Sequence, residues 1–301
     1  MQKELAQPSS KTSAHKSRLK ERVYDYWLVC RWLSLDVAAG AMVCCLMACK
    51  VLQVSPVPWQ AGIVLAGTVL LIYTADHLQD VWQTEGIIFS PRRQFHWNYR
   101  KPLLIGSMLL TGLLGTMVLL FLPLTIIYFG VILASFVVVY LWLVHKLGIN
   151  GGRRWFHKEL IIACLYTSGV WGVALTYSSN VQLKDFYFVL AFLLIALQNL
   201  LLFSYFEWEE DRLQGQRSMV VNLGDRKVKM LIRVVFGMFG LLLLPAWQAN
   251  LSLLGKQVLF TEILMSGVLL MLFVFPRQFS RHRRYRWLGD GVFLLPLWLL
   301  V

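Results

Sequence analysis

Residues 102–121 read PLLIGSMLLTGLLGTMVLLF, a run without a single charged side chain. An α-helix rises 1.5 Å per residue, so about 20 apolar residues cross the roughly 30 Å hydrocarbon core of a bilayer. Pro102 stands at the first position, where its missing N–H group costs a helix little. The stretch therefore predicts a membrane-spanning helix.

Further apolar runs of similar length occupy most of the chain on both sides of this one. The chain is 57% hydrophobic and 15% charged, whereas a soluble domain is about 45–50% apolar and about 25% charged. This composition predicts an all-α integral membrane protein with about nine transmembrane helices and a single polytopic domain at 23–301, preceded by a basic tail at 1–22. The expected helices are about 34–54, 59–78, 102–121, 124–145, 158–177, 185–206, 228–247, 256–275 and 286–301.

The basic residues alternate from loop to loop between these helices. Of the 29 lysines and arginines, 26 fall in the tail and in every second loop, which leaves Lys50, Lys184 and Lys256 on the other side. Basic loops stay cytoplasmic, so we expect a multi-pass protein of a bacterial-type inner membrane or its equivalent, with the N-terminus cytoplasmic and the C-terminus outside. The net charge of +13 then reflects topology and anionic lipid or phosphate, not nucleic acid.

Two pairs of carboxylates follow helices that run toward the cytoplasmic face. They are Asp76 with Asp80, and Glu207 with Asp211. Residues four apart share one face of a helix, about 5–6 Å apart at Cβ, where like charges repel each other. A divalent cation would offset that repulsion, and Mg²⁺ is often held by one or two carboxylates together with substrate phosphates. The alternative is that these acids only cap the helices, and His77 between the first pair is expected to be a polar helix-end residue.

Basic residues downstream of the two pairs could bind phosphate oxygens, because arginine forks contact them bidentately. Single arginines also set topology, so both interpretations remain open for each residue. In the expected helix at 185–206, Asn199 either contacts a substrate or bonds to a neighbouring helix. The candidate phosphate-binding residues are Arg92, Arg93, Lys158, Arg212 and Arg217.

The second acidic cluster resembles a motif of the UbiA-type membrane prenyltransferase superfamily. The residues from Glu207 to Ser218, followed by Asn222-Leu-Gly224, are similar to that family's Asp-x-x-x-Asp pattern with its Arg, Gly, Ser and Leu-Gly. The first cluster departs from the common Asn-Asp-x-x-Asp-x-x-x-Asp form, because Ile72 and Tyr73 replace its first two residues. Such a first cluster is similar to that of divergent, poorly characterised UbiA-like branches.

This resemblance implies a helical bundle around a central cavity, lined in part by Asn199 and Tyr73. A polyprenyl diphosphate would bind with Mg²⁺ at the cytoplasmic mouth, and its prenyl group would pass to a hydrophobic acceptor, such as an aromatic compound. The expected catalytic and metal-binding residues are Asp76, Asp80, Glu207 and Asp211. Two alternatives remain open: phosphoribosyl transfer to a polyprenyl phosphate in the same fold, and a non-catalytic membrane subunit or transporter.

Overall fold

The structure, a computed structural model, describes residues 26–83, 91–149, 158–213, 223–248 and 250–301. Within these ranges the regular structure is entirely helical. The basic tail predicted at 1–22 lies outside them. The helices are α1 (Tyr26–Trp32), α2 (Leu35–Val51), α3 (Trp59–Gln83), α4 (Pro91–Asn98), α5 (Arg100–Phe121), α6 (Leu124–Ile149), α7 (Lys158–Tyr177), α8 (Phe186–Leu213), α9 (Asp225–Gln248), α10 (Leu253–Val274), α11 (Pro276–Ser280) and α12 (Arg284–Gly291).

Within the described ranges, seven helices are long and apolar enough to cross a membrane: α3, α5, α6, α7, α8, α9 and α10. They coincide with seven of the predicted spans. The predicted all-helical architecture is therefore confirmed for the described residues, and the seven apolar helices are compatible with a multi-pass membrane protein. The predicted run at 102–121 lies within α5, whose surface is almost entirely unburied, as expected of a helix that faces lipid.

The two predicted spans at the chain ends differ from simple helices. At the N-terminal end, α1 and α2 are separated by a 67° bend, and the pair counts as an eighth candidate span only if taken as one. Ser34 at the bend has a left-handed backbone, with φ 58°. At the other end, α12 gives way to a 3₁₀ helix, Val292–Leu299, with Pro296 inside it. Proline removes a backbone donor and disfavours a continuous α-helix.

Helix α2 lies at the centre of the bundle, packed against α3, α7, α10 and the C-terminal 3₁₀ helix. Its sequence is rich in Ala, Gly and Cys, and 10 of its residues are buried. Small side chains let helices approach closely where lipid offers no hydrophobic driving force. At Gly40, a Cβ atom would lie only 2.8 Å from Cβ of Phe293, so glycine is needed for this contact.

Helices α5 and α6 stand at the periphery. Helix α5 packs on α3, and α6 packs on α7. The contact of α6 with α7 is close, because a Cβ atom at Gly172 would lie 2.1 Å from the ring of Phe129. Together with α2, α3, α7 and α8, the inner side of α6 encloses the space in which the candidate site lies.

Candidate functional site

A cavity of about 1600 Å³ lies between α2, α3, α6, α7 and α8, and residues of α12 also line it. Drug-sized ligands occupy pockets of about 300–1,000 Å³, so this space is large enough for a longer molecule. Most of its walls are aliphatic or aromatic, from residues such as Leu65, Ile126, Phe129 and Leu133. We call its polar part the charged end, defined by Asp76, Asp80, Arg92, Arg93, Lys158, Arg286 and Asp290.

Asp76 and Asp80 lie on one face of α3, as their spacing predicts, and both line the cavity. The Asp76 side chain is 55% exposed, although it belongs to the interior wall of the bundle. That exposed surface faces the cavity. Asp80 is 33% exposed, and its Oδ2 lies 3.4 Å from a terminal nitrogen of Arg93. Asp76 is therefore the more open carboxylate of the pair.

Two further cations reach the charged end from different elements. Arg92 comes from α4, which packs on the end of α3, and Lys158 comes from the first turn of α7. Burial, together with the nearby Arg286, lowers the pKa of Arg92 to about 10, against the opposing effect of Glu207, Asp80 and Asp76. Arg92 remains a cation at neutral pH, and its cost of burial favours an anion beside it.

The Glu207 carboxylate has a different environment. Both of its oxygens accept hydrogen bonds from Arg286, from Nε at 2.6 Å and from a terminal nitrogen at 2.6 Å. The hydroxyl of Tyr285 donates a third, at 3.1 Å. Arg286 lines the cavity, whereas Glu207 is not among its lining residues. With three hydrogen bonds on its two oxygens, Glu207 holds Arg286 in position, and its predicted role as a metal ligand stays a prediction.

The other predicted site residues divide into three groups. Tyr73 and Asn199 line the cavity, as expected. The guanidinium of Arg212 lies 5.7 Å from the ring centre of Trp208, and Arg212 does not line the cavity. The Asp211 side chain and all of Arg217 lie outside the described residues, so their predicted roles stay predictions.

The sequence analysis did not identify Arg286 or Arg31 as residues of the site. Arg31 lies 3.5 Å from Asp36 and 4.0 Å from Asp290, and its guanidinium is 5.1 Å from the ring centre of Trp27. All three charged residues line the cavity. By position in the sequence, Arg31 and Arg286 indicate only topology, and the basic stretch around Arg286 gives no sign of which arginine turns inward.

The donor set at the first acidic pair fits a divalent cation. One ligand atom each of Asp76, His77 and Asp80 lies within 4.8 Å of the others. Two carboxylates open to a cavity are typical of a Mg²⁺ site completed by water and phosphate. The second predicted pair does not match this arrangement in its described member, because Arg286 engages Glu207.

Comparison of the chain with protein-family models, with curated proteins and with solved structures gave no match.

Proposed function

We propose that the chain transfers a prenyl group from a polyprenyl diphosphate to a hydrophobic acceptor, such as an aromatic compound, with the help of Mg²⁺. The observation that carries the proposal is the cavity itself, which joins a long apolar interior to a charged end. A lipid diphosphate has the same division between a hydrocarbon chain and a strongly anionic head. The diphosphate would lie among Asp76, Asp80, Arg92 and Lys158, with the prenyl chain along α6.

The residues of the chain have separate tasks in this proposal. Arg92 and Lys158 bind diphosphate oxygens, and Arg286, fixed by Glu207, adds positive charge at the same end. The apolar walls exclude water from the reactive carbon, where cleavage of the carbon–oxygen bond leaves an allylic cation. Aromatic rings such as Phe129 and Tyr73 on the cavity wall can stabilise such a cation through their electron-rich faces.

Asp76 and Asp80 would hold Mg²⁺. When bound, the ion would neutralise charge that builds up on the departing diphosphate. The chain's own arginines act on the same charge, and preorganised positive groups of this kind are usually the largest contribution to catalysis.

The same proposal covers the two ends of the chain and the orientation of the bundle in the membrane. The bent α1–α2 pair and the C-terminal segment would complete a nine-helix, UbiA-like bundle, with the N-terminus and the charged end on the cytoplasmic side. The 26 basic residues in alternate loops support this orientation.

The test is Mg²⁺-dependent release of diphosphate by the purified protein from farnesyl and geranylgeranyl diphosphate. We expect Asp76→Asn to lower the rate about 100-fold, as removal of one group that stabilises transition-state charge commonly does. Asp225→Asn is the matched control, because Asp225 is an exposed acid on α9 paired with Lys229.

An equal rate in wild type and Asp76→Asn would contradict the proposed site. No release from any lipid diphosphate would favour a non-catalytic subunit. Transfer of radiolabel from a phosphoribosyl donor to a polyprenyl phosphate would identify the alternative reaction in the same cavity.

A further inference from the structure

The consecutive helices α5 and α6 are joined by a short link but do not pack side by side. Phe121 ends α5 and Leu124 begins α6, and helices with so short a link are usually antiparallel neighbours. Here α5 packs on α3 and α6 packs on α7, whereas α5 and α6 are not a packed pair in the described residues. The two helices therefore diverge from their link and leave a gap between them.

Each of the two helices is held to its own inner neighbour by a close contact. A Cβ atom at Gly67 of α3 would lie 2.7 Å from the side chain of Leu114 on α5. The contact of Phe129 on α6 with Gly172 on α7 is equally close. Because small residues at both places let the helices approach, the separation of α5 from α6 is built into the packing.

The gap leads into the cavity. Of the described residues of α5 and its link, Val118 and Leu122 line the cavity, both at the end next to α6, whereas α6 lines it from Ile126 to Leu141. The other end of α5 lies beside α4, the helix that carries Arg92 of the charged end. Helix α5 thus borders the cavity far from the charged end and leaves its side open toward it.

One stripe of α6 belongs both to the cavity and to the outer surface. Gly130, Ala134 and Val138 are spaced four residues apart, so they share a face of the helix. They and Val131 line the cavity, and all four are exposed, Val131 by 59% and Val138 by 64%. We call these four residues the rim, because the cavity meets the outer surface there.

The charged end reaches the same opening from α3. Ala75 and Asp76 line the cavity and are exposed. Only 6% of the apolar stretch of α5, and the same share of α6, is buried, which is typical of helices that face hydrocarbon. The opening therefore runs from an apolar rim to a polar end, the same division as in a lipid that stands in one leaflet with its head group at the membrane surface.

The opposite wall of the bundle is closed. Helix α2 lies against the C-terminal 3₁₀ helix, where Gly40 allows the backbone to approach Phe293. The thiol of Cys44 donates a hydrogen bond to the carbonyl oxygen of Phe293 at 3.2 Å. A hydrocarbon chain has no path through this seam, so the side of α5 and α6 is the one that admits it.

We propose that the gap between α5 and α6 is a lateral portal through which a lipid with an anionic head group enters the cavity from the bilayer, its hydrocarbon chain passing over the rim. Sideways entry keeps the chain in apolar surroundings, whereas entry through water would expose every methylene group. The arginines and Lys158 of the charged end then meet the head group. The inference goes beyond the proposed function, because admission of a lipid requires no reaction.

Thiol labelling in phospholipid vesicles tests the portal. Leu65→Cys places a thiol on the cavity wall, and the probes are a hexadecyl maleimide, which partitions into the bilayer, and a small charged maleimide in the water. Mass spectrometry of the peptide with residue 65 separates its labelling from that of the five native cysteines. In this background we expect Gly130→Trp to slow labelling by the hexadecyl reagent at least about tenfold.

The small charged reagent and two further variants are the controls. Labelling by the charged reagent should stay within about twofold, because it does not pass the rim. Gly115→Trp adds the same side chain to α5 at a position that does not line the cavity, and a Cβ atom meets nothing within 4 Å at either glycine. It should leave both rates unchanged. Ala134→Trp, at a second position of the rim, should reproduce the loss.

Three results would overturn the portal. They are unchanged hexadecyl labelling in both rim variants, equal slowing by Gly115→Trp, and equal slowing of both reagents by Gly130→Trp. Neither reagent contains a diphosphate or needs Mg²⁺, so these rates are independent of the proposed reaction. Absence of diphosphate release would refute the transferase and leave the portal standing, and a failed labelling test would leave the transferase to its own assay.

Discussion

The two acidic clusters have the same spacing, but their described members have different surroundings. Asp76 and Asp80 face an open cavity, whereas Glu207 is held by a fork of two 2.6 Å hydrogen bonds from Arg286. Spacing along a helix decides which face a side chain shares with its neighbour. It does not decide what lies opposite that face. The difference favours the first cluster for the ligand binding that we propose, and it gives Glu207 a contact that positions Arg286.

The largest effect is expected from breaking the Glu207–Arg286 pair. Glu207→Gln leaves the Arg286 charge without its main partner, and Asp290 nearby offsets only part of the loss. Removal of one member of a buried ion pair costs about 3 kcal/mol. We expect the free energy of unfolding in detergent to fall by about that amount.

The double variant Glu207→Leu with Arg286→Leu is the control for this prediction. It removes both charges together, so it should recover most of the lost stability. A single variant as stable as wild type would contradict the structural role of Glu207 and reopen its assignment as a free ligand.

A smaller effect separates the arginines near the two clusters. Arg92 lines the cavity, whereas Arg212 does not and lies over Trp208. Loss of a charge-assisted hydrogen bond costs about 1.5–3 kcal/mol, so Arg92→Gln should weaken binding of a lipid diphosphate at least about tenfold. Arg212→Gln should leave the affinity within about twofold of wild type. Titration with a fluorescent prenyl diphosphate analogue would measure both, and equal losses would show that the second cluster binds the head group too.

The smallest effect concerns a third pair with the same spacing. Asp225 and Lys229 lie four residues apart on α9 and form an exposed ion pair at 2.8 Å. Exposed pairs contribute about 0.5 kcal/mol or less, since solvent screens them. Thermal unfolding of Asp225→Asn should therefore match wild type closely, and a large shift would indicate an unrecognised contact at the start of α9.

Local patterns predicted most of the helices and the first cluster. Apolar runs that cross a bilayer need no distant partner, and the i,i+4 rule places Asp76 and Asp80 on one face wherever α3 packs. The chain ends depend instead on backbone details. Ser34 adopts a left-handed conformation, and Pro296 lies within a 3₁₀ helix. Neither feature changes the mean hydropathy of the apolar runs from which the spans are predicted.

The partner of Glu207 could not be predicted from local sequence. Arg286 lies 79 residues further along the chain and belongs to a basic stretch that topology alone explains. The approach of α12 to α8 also requires Gly289, where a Cβ atom would lie 2.7 Å from Oδ1 of Asn199. Such a contact is a property of the packed bundle. The sequence therefore predicts that Asn199 lines the cavity, but it does not predict the contact between Asn199 and Gly289.

The most direct test is an electron cryo-microscopy structure of the protein with Mg²⁺ and a non-reactive thiodiphosphate analogue of geranylgeranyl diphosphate. Our account predicts diphosphate density next to Asp76, Arg92 and Lys158, hydrocarbon density along α6, and an intact Glu207–Arg286 pair. Density for the head group at Glu207, with Arg286 displaced, or an empty cavity at saturating analogue, would contradict it.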